Sequence, residues 1–184
     1  TGDCTQPPEG MVSWWPMDDR PQQGGQVQDI KDGNPGDPIG GVTDVNGMVD
    51  GANFFDGSDD AVEVPDSSSL SNAVSTNFAL DAWIYPTQSA VNSTSPIVNK
   101  LAATTANPVG SALRLESGGT LVAEIGNGNS PTNTVSSNSG AISANEWSHV
   151  AVSFDAASGA TLFINGQSVA SGSTTSGGID SLAA

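Results

Sequence analysis

The sequence predicts an all-β protein, an antiparallel sandwich of two sheets, and three observations lead to that prediction. About ten short stretches alternate between apolar and polar residues or are rich in β-branched and aromatic residues. No stretch shows the sustained periodicity of a helix. The 184 residues include 22 glycines and 11 prolines, which is typical of a chain that turns often. Many short strands separated by turn signals favour a sandwich architecture.

The predicted strands are separated by glycine, proline or short polar residues, which mark turns. In chain order they cover residues 11–15, 53–55, 61–64, 78–85, 96–101, 112–115, 121–125, 146–154, 161–164 and 167–170. A single helical turn is predicted at residues 66–70, where a capping-type sequence begins. Residues 126–140 are rich in Ser, Thr, Asn and Gly and predict surface loops.

Alternation also assigns faces to two of these strands. The core side is expected to hold Phe78, Leu80, Ala82, Ile84, Val150, Val152 and Phe154. The opposite face would carry His149, which we expect to be solvated. Asn165-Gly166 predicts a two-residue hairpin, because a type I′ turn needs positive φ at both positions. Residues 116–120 predict a second hairpin.

Charge and hydropathy argue against two classes of partner, nucleic acids and membranes. Four Lys and Arg residues stand against 20 acidic ones, giving a net charge of −16. Such a polyanion repels phosphate backbones and anionic lipid, so no nucleic-acid partner is expected. No apolar run reaches the roughly 18–20 residues of a membrane span, so no membrane insertion is expected.

The domain organisation is expected to be simple. Residues 1–10 would form an N-terminal leader that contains Cys4, and residues 11–184 would form one domain. Because Cys4 is the only cysteine, an intramolecular disulfide is excluded. The chain is expected to be a mature, soluble product or an excised domain.

Five segments in order carry a family resemblance that runs from about residue 7 to residue 173. They are PPEGMVSWWPMDD, GMVDGANFFDGSDDAVEVPDSSSLSN, NFALDAWIYP, NEWSHVAVSFD and ATLFINGQSVASG. Together they resemble the laminin G-like (concanavalin A-like) jelly-roll domains of bacterial extracellular proteins. The resemblance implies a secreted or cell-surface location and a jelly roll of two curved sheets. It also implies a non-catalytic module that binds glycans or proteins and holds a structural Ca²⁺ near a sheet rim.

One departure from that family concerns the last strand. Domains of this kind usually end with a further strand after a Gly-rich loop, and that closing strand is missing before residue 184. An open jelly roll would expose unpaired backbone groups. We therefore expect either a continuation of the same chain or a partner that donates a strand.

An excess of aspartate over glutamate predicts the metal ligands. Fifteen of the 20 acidic residues are Asp, many of them in turn-like contexts. Our predicted Ca²⁺ ligands are Asp18, Asp29, Asp59 and Asp60, because close loop carboxylates repel and a hard cation with 6–8 oxygen ligands relieves that repulsion. The alternative is that these are solvated turn carboxylates.

Tryptophans supply the predicted ligand contacts. Trp14 and Trp15 are adjacent, so in a strand they would point to opposite faces, one into the core and the other outward to stack on a sugar. Trp83 and Trp147 are expected in the core or covering a sheet.

Three functional hypotheses follow. The first is a non-catalytic extracellular binding or adhesion module that recognises carbohydrate or a protein surface. The second is an assembly subunit of a larger extracellular complex, completed by a partner strand. The third, a glucanase-like hydrolase, is disfavoured because hydrolysis needs paired carboxylates and no E-x-D-x-x-E-like run occurs.

Overall fold

The computed structural model describes residues 7–19, 21, 24–73, 77–102, 108–128 and 133–173. Within these residues the chain forms twelve strands and two short helices, and every strand pairing is antiparallel. The prediction of an all-β fold is therefore confirmed.

The elements are short, as the turn-rich sequence predicts. The strands are β1 (Asp37–Ile39), β2 (Thr43–Asn46), β3 (Gly51–Phe54), β4 (Ala61–Glu63), β5 (Asn77–Ile84), β6 (Ser95–Asn99), β7 (Val109–Glu116), β8 (Thr120–Asn127), β9 (Asn133–Ser136), β10 (Ser148–Asp155), β11 (Gly159–Ile164) and β12 (Gln167–Gly172). The helices are α1 (Ser68–Ala73) and α2 (Gln88–Val91).

The chain divides into two compact units, residues 1–70 and residues 71–184. The first contains two small sheets, in which β1 pairs with β4 and β2 pairs with β3. The second contains two four-stranded sheets, of order β12-β11-β10-β5 and β6-β7-β8-β9. The single domain predicted over residues 11–184 stays a prediction.

One apolar core joins the two four-stranded sheets into a sandwich. Its buried side chains come from alternate positions of β7, β8, β9, β10 and β11 and from the loop before β10, and they are Leu113, Leu115, Leu121, Ala123, Ile125, Val135, Ile142, Val150, Val152, Phe154, Ala160, Leu162 and Ile164. Each large side chain buried in this way contributes roughly 1.5–3 kcal/mol of transfer free energy. The predicted core face of β10 is confirmed.

Strand β5 packs on this core less completely. Its inward residues, which are the four predicted ones, are partly buried: Phe78, Leu80, Ala82 and Ile84. Phe78 lies against Phe154 with ring centroids 5.3 Å apart. Among the described strands β5 pairs only with β10, so it forms one edge of its sheet.

The hairpin predicted at Asn165-Gly166 joins β11 to β12, with φ values of 50° and 76°. The Asn165 side chain also accepts a hydrogen bond from the main-chain N–H of His149 at 2.9 Å. In return the N–H of Asn165 donates to the carbonyl of His149 at 2.8 Å. The turn therefore fixes the start of β10 as well as its own two strands.

The strand predicted at residues 11–15 is wrong, and the reason lies in its hydrogen bonds. The N–H of Trp14 donates to the Asp29 carboxylate at 2.9 Å, and its carbonyl accepts from the N–H of Ile30 at 2.9 Å. The indole N–H of Trp15 donates to the carbonyl of Asn34 at 2.7 Å. A loop and its side chains, rather than a neighbouring strand, satisfy these polar groups.

Three strands are missing from the sequence prediction. β1 contains Pro38, β2 is exposed at every position, and β9 lies inside the segment predicted as surface loop. None of them combines an inward apolar face with regular alternation, so periodicity alone does not identify them.

Candidate functional site

Strands β5 and β10, together with the residue that follows β5 and the residue that precedes β10, bring aromatic side chains together at the outer face of the β12-β11-β10-β5 sheet. Since successive side chains alternate, residues between the inward positions of β5 point away from the core. The register sets Trp83 opposite His149, with ring centroids 5.2 Å apart. Tyr85 and Trp147 form the next pair, at 5.4 Å. We call these four residues the aromatic ladder.

The aromatic ladder is accessible to solvent. Trp83 is 47 % exposed and Tyr85 is 49 % exposed. The two rings of each pair are tilted by 57°, an arrangement that aromatic pairs favour because the ring edge is positive and the face negative. Each ring thus supports its partner while keeping surface available for a ligand.

A carboxylate and an imidazole adjoin the ladder. Nε2 of His149 lies 3.1 Å from Oδ1 of Asp81, within hydrogen-bonding distance. The Asp81 side chain is 61 % exposed, so the pair is worth little to stability but its oxygens are accessible to a ligand hydroxyl. The expectation of a merely solvated His149 misses these contacts with Asp81 and Trp83.

A second candidate is a cluster of carboxylates on the turn between β3 and β4, here called the acidic turn. One carboxylate oxygen from each of Asp56, Asp59 and Asp60 lies within 4.8 Å of the others. Asp60 accepts hydrogen bonds from the N–H groups of Gly41 and Asp56. These bonds hold Asp60 in place beside the other two carboxylates.

Because it has no side chain, Gly40 leaves room for the carboxylate of Asp60 beside its backbone. Its φ is 76°, and a Cβ there would lie 2.6 Å from Oδ1 of Asp60. Any other residue would therefore meet both a strained backbone and a collision with the carboxylate. The glycine is part of what positions the acidic turn.

The donor set of the acidic turn fits a calcium ion. Ca²⁺ prefers carboxylate and carbonyl oxygens from flexible loops, and three carboxylates with water can supply its 6–8 ligands. Asp59 and Asp60 are predicted ligands that the structure brings together. Asp56 is a member that the prediction leaves out, although its place in the same turn is visible in the sequence.

The other two predicted metal ligands lie outside this group. Asp29 is 8 % exposed, and its oxygens accept hydrogen bonds from the N–H groups of Trp14, Lys31 and Asn34. Burial raises the pKa of Asp29, but these hydrogen bonds outweigh it and lower that pKa to about 2. Asp18 is exposed. Their roles as ligands stay predictions.

The predicted sugar contacts are half-buried. Trp14 and Trp15 are both only partly accessible, and the Trp15 indole N–H is already bonded to Asn34. Their contact with a ligand stays a prediction. The structure exposes Trp83 instead, and the sequence does contain the signal, because Asp81, Trp83 and Tyr85 alternate with the apolar residues of β5.

A shallow cavity of about 200 Å³ lies on the other sheet, formed by β6, β7 and β8. Its lining includes Arg114, whose guanidinium donates to Glu116 at 2.9 Å and also to Glu124. The carboxylates of Glu116 and Glu124 both bond to the guanidinium of Arg114, so these three side chains link β7 to β8 at the sheet surface. The described residues that line this cavity include no aromatic ring.

Comparison with known families gives a match over residues 56–183. The matching family model is a laminin G-like one, described as the concanavalin A-like lectin/glucanases superfamily. The match covers more than half of the chain and includes the acidic turn, β5 and β10. A search of curated proteins gives no match.

A solved structure is also similar. It is a crystal structure of an S-layer domain-containing protein (residues 221–444) from Clostridium thermocellum ATCC 27405. The TM-score is 0.53 at 25 % identity, and the alignment covers 89 % of this chain and 73 % of that one. In the described part of the chain, neither helix has the length and apolar character to cross a bilayer.

Proposed function

The chain belongs to the concanavalin A-like lectin/glucanase superfamily through a laminin G-like match, and from that membership we propose a function. It is a non-catalytic extracellular module that binds carbohydrate through the aromatic ladder. One observation carries the proposal: Trp83 of β5 and Tyr85, which directly follows that strand, are both half exposed, and each contacts a second ring.

The chemistry of the ladder suits a sugar. A pyranose ring has an apolar face of C–H groups and a rim of hydroxyls, and the C–H face packs against an aromatic ring. Asp81 and His149 lie beside Trp83 and offer hydrogen bonds to the rim. A few placed polar groups beside apolar contact surface are the usual composition of a specific binding site.

An extracellular location is part of the proposal. It is supported by the family resemblance to bacterial extracellular proteins and by the similar S-layer domain-containing structure.

The proposal also includes a calcium ion that stabilises the fold. Asp56, Asp59 and Asp60 would hold it on the acidic turn. The ion would neutralise repulsion among the three carboxylates and so stabilise the turn.

Binding to a panel of neutral and acidic polysaccharides, measured by affinity electrophoresis, tests the function. We expect at least one neutral polysaccharide to bind and Trp83→Ala to weaken that binding about fivefold or more, since stacking of a ring on an aromatic side chain, as known for nucleic-acid bases, is worth roughly 1–3 kcal/mol. Phe55→Ala removes an aromatic ring of similar exposure (42 %) and should change affinity less than twofold. Reducing sugar should not be released. Absence of binding, or full binding by Trp83→Ala, would overturn the proposal.

The edge of the sheet favours a second candidate function, assembly with a partner strand. β5 has eight residues, pairs only with β10 among the described strands, and leaves its inward side chains partly buried. An added strand would cover them, as in β-augmentation. Sedimentation velocity over a range of concentrations separates the candidates: a monomer that binds glycan favours the module, and an oligomer without glycan binding favours assembly.

A further inference from the structure

The aromatic ladder consists of two successive ring pairs, Trp83 with His149 and Tyr85 with Trp147, which we call its rungs. Their spacing sets a minimum length for the ligand. Trp83 lies in β5 and Tyr85 directly follows the last residue of that strand, so in extended backbone their positions are separated by about 7 Å. Trp83 lies 5.2 Å from His149 of β10, and Tyr85 lies 5.4 Å from Trp147, which directly precedes β10. A single sugar ring can cover one rung, whereas a chain of sugars can cover both.

The outward side chains next to the aromatic ladder on β5 and β10 are small. The next outward pairs of β5 and β10 are Asp81 with Ala151 and Ala79 with Ser153. These side chains are smaller than the aromatic rings, so on this side of the ladder no large side chain of the outward pairs blocks the strand direction. A chain of sugars that covers both rungs can therefore extend beyond the ladder in this direction.

The charge of the surface selects against anions. Asp81 is exposed at the ladder, Glu146 precedes Trp147 and is also exposed, and the whole chain carries a net charge of −16. Uronate, sulfate and phosphate groups would be repelled at close range by these carboxylates.

We infer that the ligand is an extended, uncharged oligosaccharide segment of at least two sugar rings, lying along β5 and β10 across both rungs. The inference rests on the proposed function and adds to it a minimum length, a direction and a charge class. A protein partner is the competing occupant, and it predicts no dependence on sugar length.

Calorimetric titration with three oligosaccharide series tests the inference. The probes are cello-, xylo- and manno-oligosaccharides of one to six units, with polygalacturonate as the charged probe. For at least one series we expect affinity to rise tenfold or more between one and three units and then to level off. Polygalacturonate should bind at least tenfold more weakly than the best neutral ligand.

Variants locate the length dependence on the ladder. Tyr85→Ala should lower the affinity for long ligands to that for short ones, while Tyr85→Phe should keep most of it. Phe55→Ala is the matched control, and thermal melting of each variant verifies that it is folded.

The outcomes separate this inference from the proposed function. Equal affinity for one unit and six, or comparable binding of polygalacturonate, overturns the inference while Trp83-dependent sugar binding still supports the function. Binding to none of the three series, and to no polysaccharide of the panel, overturns both.

Discussion

Asp29 shows how main-chain N–H groups can hold one carboxylate of a strongly acidic chain in place. It is buried, and it receives hydrogen bonds from three main-chain N–H groups and from the side-chain amide of Asn34. The sequence places Asp29 in a loop rich in turn residues, which equally suits a metal ligand. Which role it takes depends on how the loop of residues 29–34 folds around it, and composition does not reveal that.

Replacing Asp29 by Asn should destabilise the protein by about 2 kcal/mol at pH 7, because the hydrogen-bonded charge is lost. The Asp29 pKa is lowered from 3.8 to about 2 on folding. Its contribution is therefore complete above about pH 4 and is lost as pH falls through about 2. Urea unfolding of both proteins between pH 7 and pH 2 measures this.

The control for that experiment is Asp32→Asn, which removes an exposed carboxylate from the same loop. It should change the free energy of unfolding by less than about 0.5 kcal/mol. A gap between wild type and Asp29→Asn that stays constant down to pH 2 would contradict the assignment.

At the scale of elements, the sequence predicts best the strands that combine alternation with one buried face. β5 and β10 have that property, whereas β7 and β8 are buried at most positions of both faces, and all four are predicted within a few residues of their bounds. The segment of residues 11–15 has the composition of a strand, but its main-chain groups bond to Asp29 and to a loop. Strand propensity describes a side-chain environment, so it does not identify the hydrogen-bond partner.

The conformation of the turn between β11 and β12 depends mainly on two residues, Asn165 and Gly166. Gly166→Ala should cost roughly 1–2 kcal/mol, because a Cβ is unfavourable at φ 76°. Gly166→Asn should cost less, since Asn tolerates this conformation better. Urea denaturation of the two variants provides the comparison, and an alanine variant as stable as the asparagine variant would show that the turn is not type I′.

At the scale of the whole molecule, charge and fold class are the properties that the sequence specifies most fully. The order of five segments resembles that of the laminin G-like family, and the family model confirms this resemblance over residues 56–183. The ladder is harder to predict, since Trp83 and His149 are far apart in sequence and meet only through the register of β5 and β10. The division into two units is likewise a matter of contacts between distant segments.

The net charge of −16 makes the response to cations informative. Millimolar CaCl₂ should raise the melting temperature above that in NaCl of equal ionic strength, by about 2–4 °C for each kcal/mol of binding free energy. Asp59→Asn should abolish the difference while leaving the hydrogen bonds of Asp60 in place. Equal melting temperatures in the two salts would count against calcium on the acidic turn.

The most direct test of the binding face is to identify which tryptophans contact the sugar. The four indole N–H signals can be assigned from single Trp→Phe variants and followed by ¹H–¹⁵N NMR during titration with the tightest-binding oligosaccharide. We expect the signals of Trp83 and Trp147 to move while those of Trp14 and Trp15 stay in place. Movement of Trp14 or Trp15 with no change at Trp83 would contradict a ligand on the aromatic ladder.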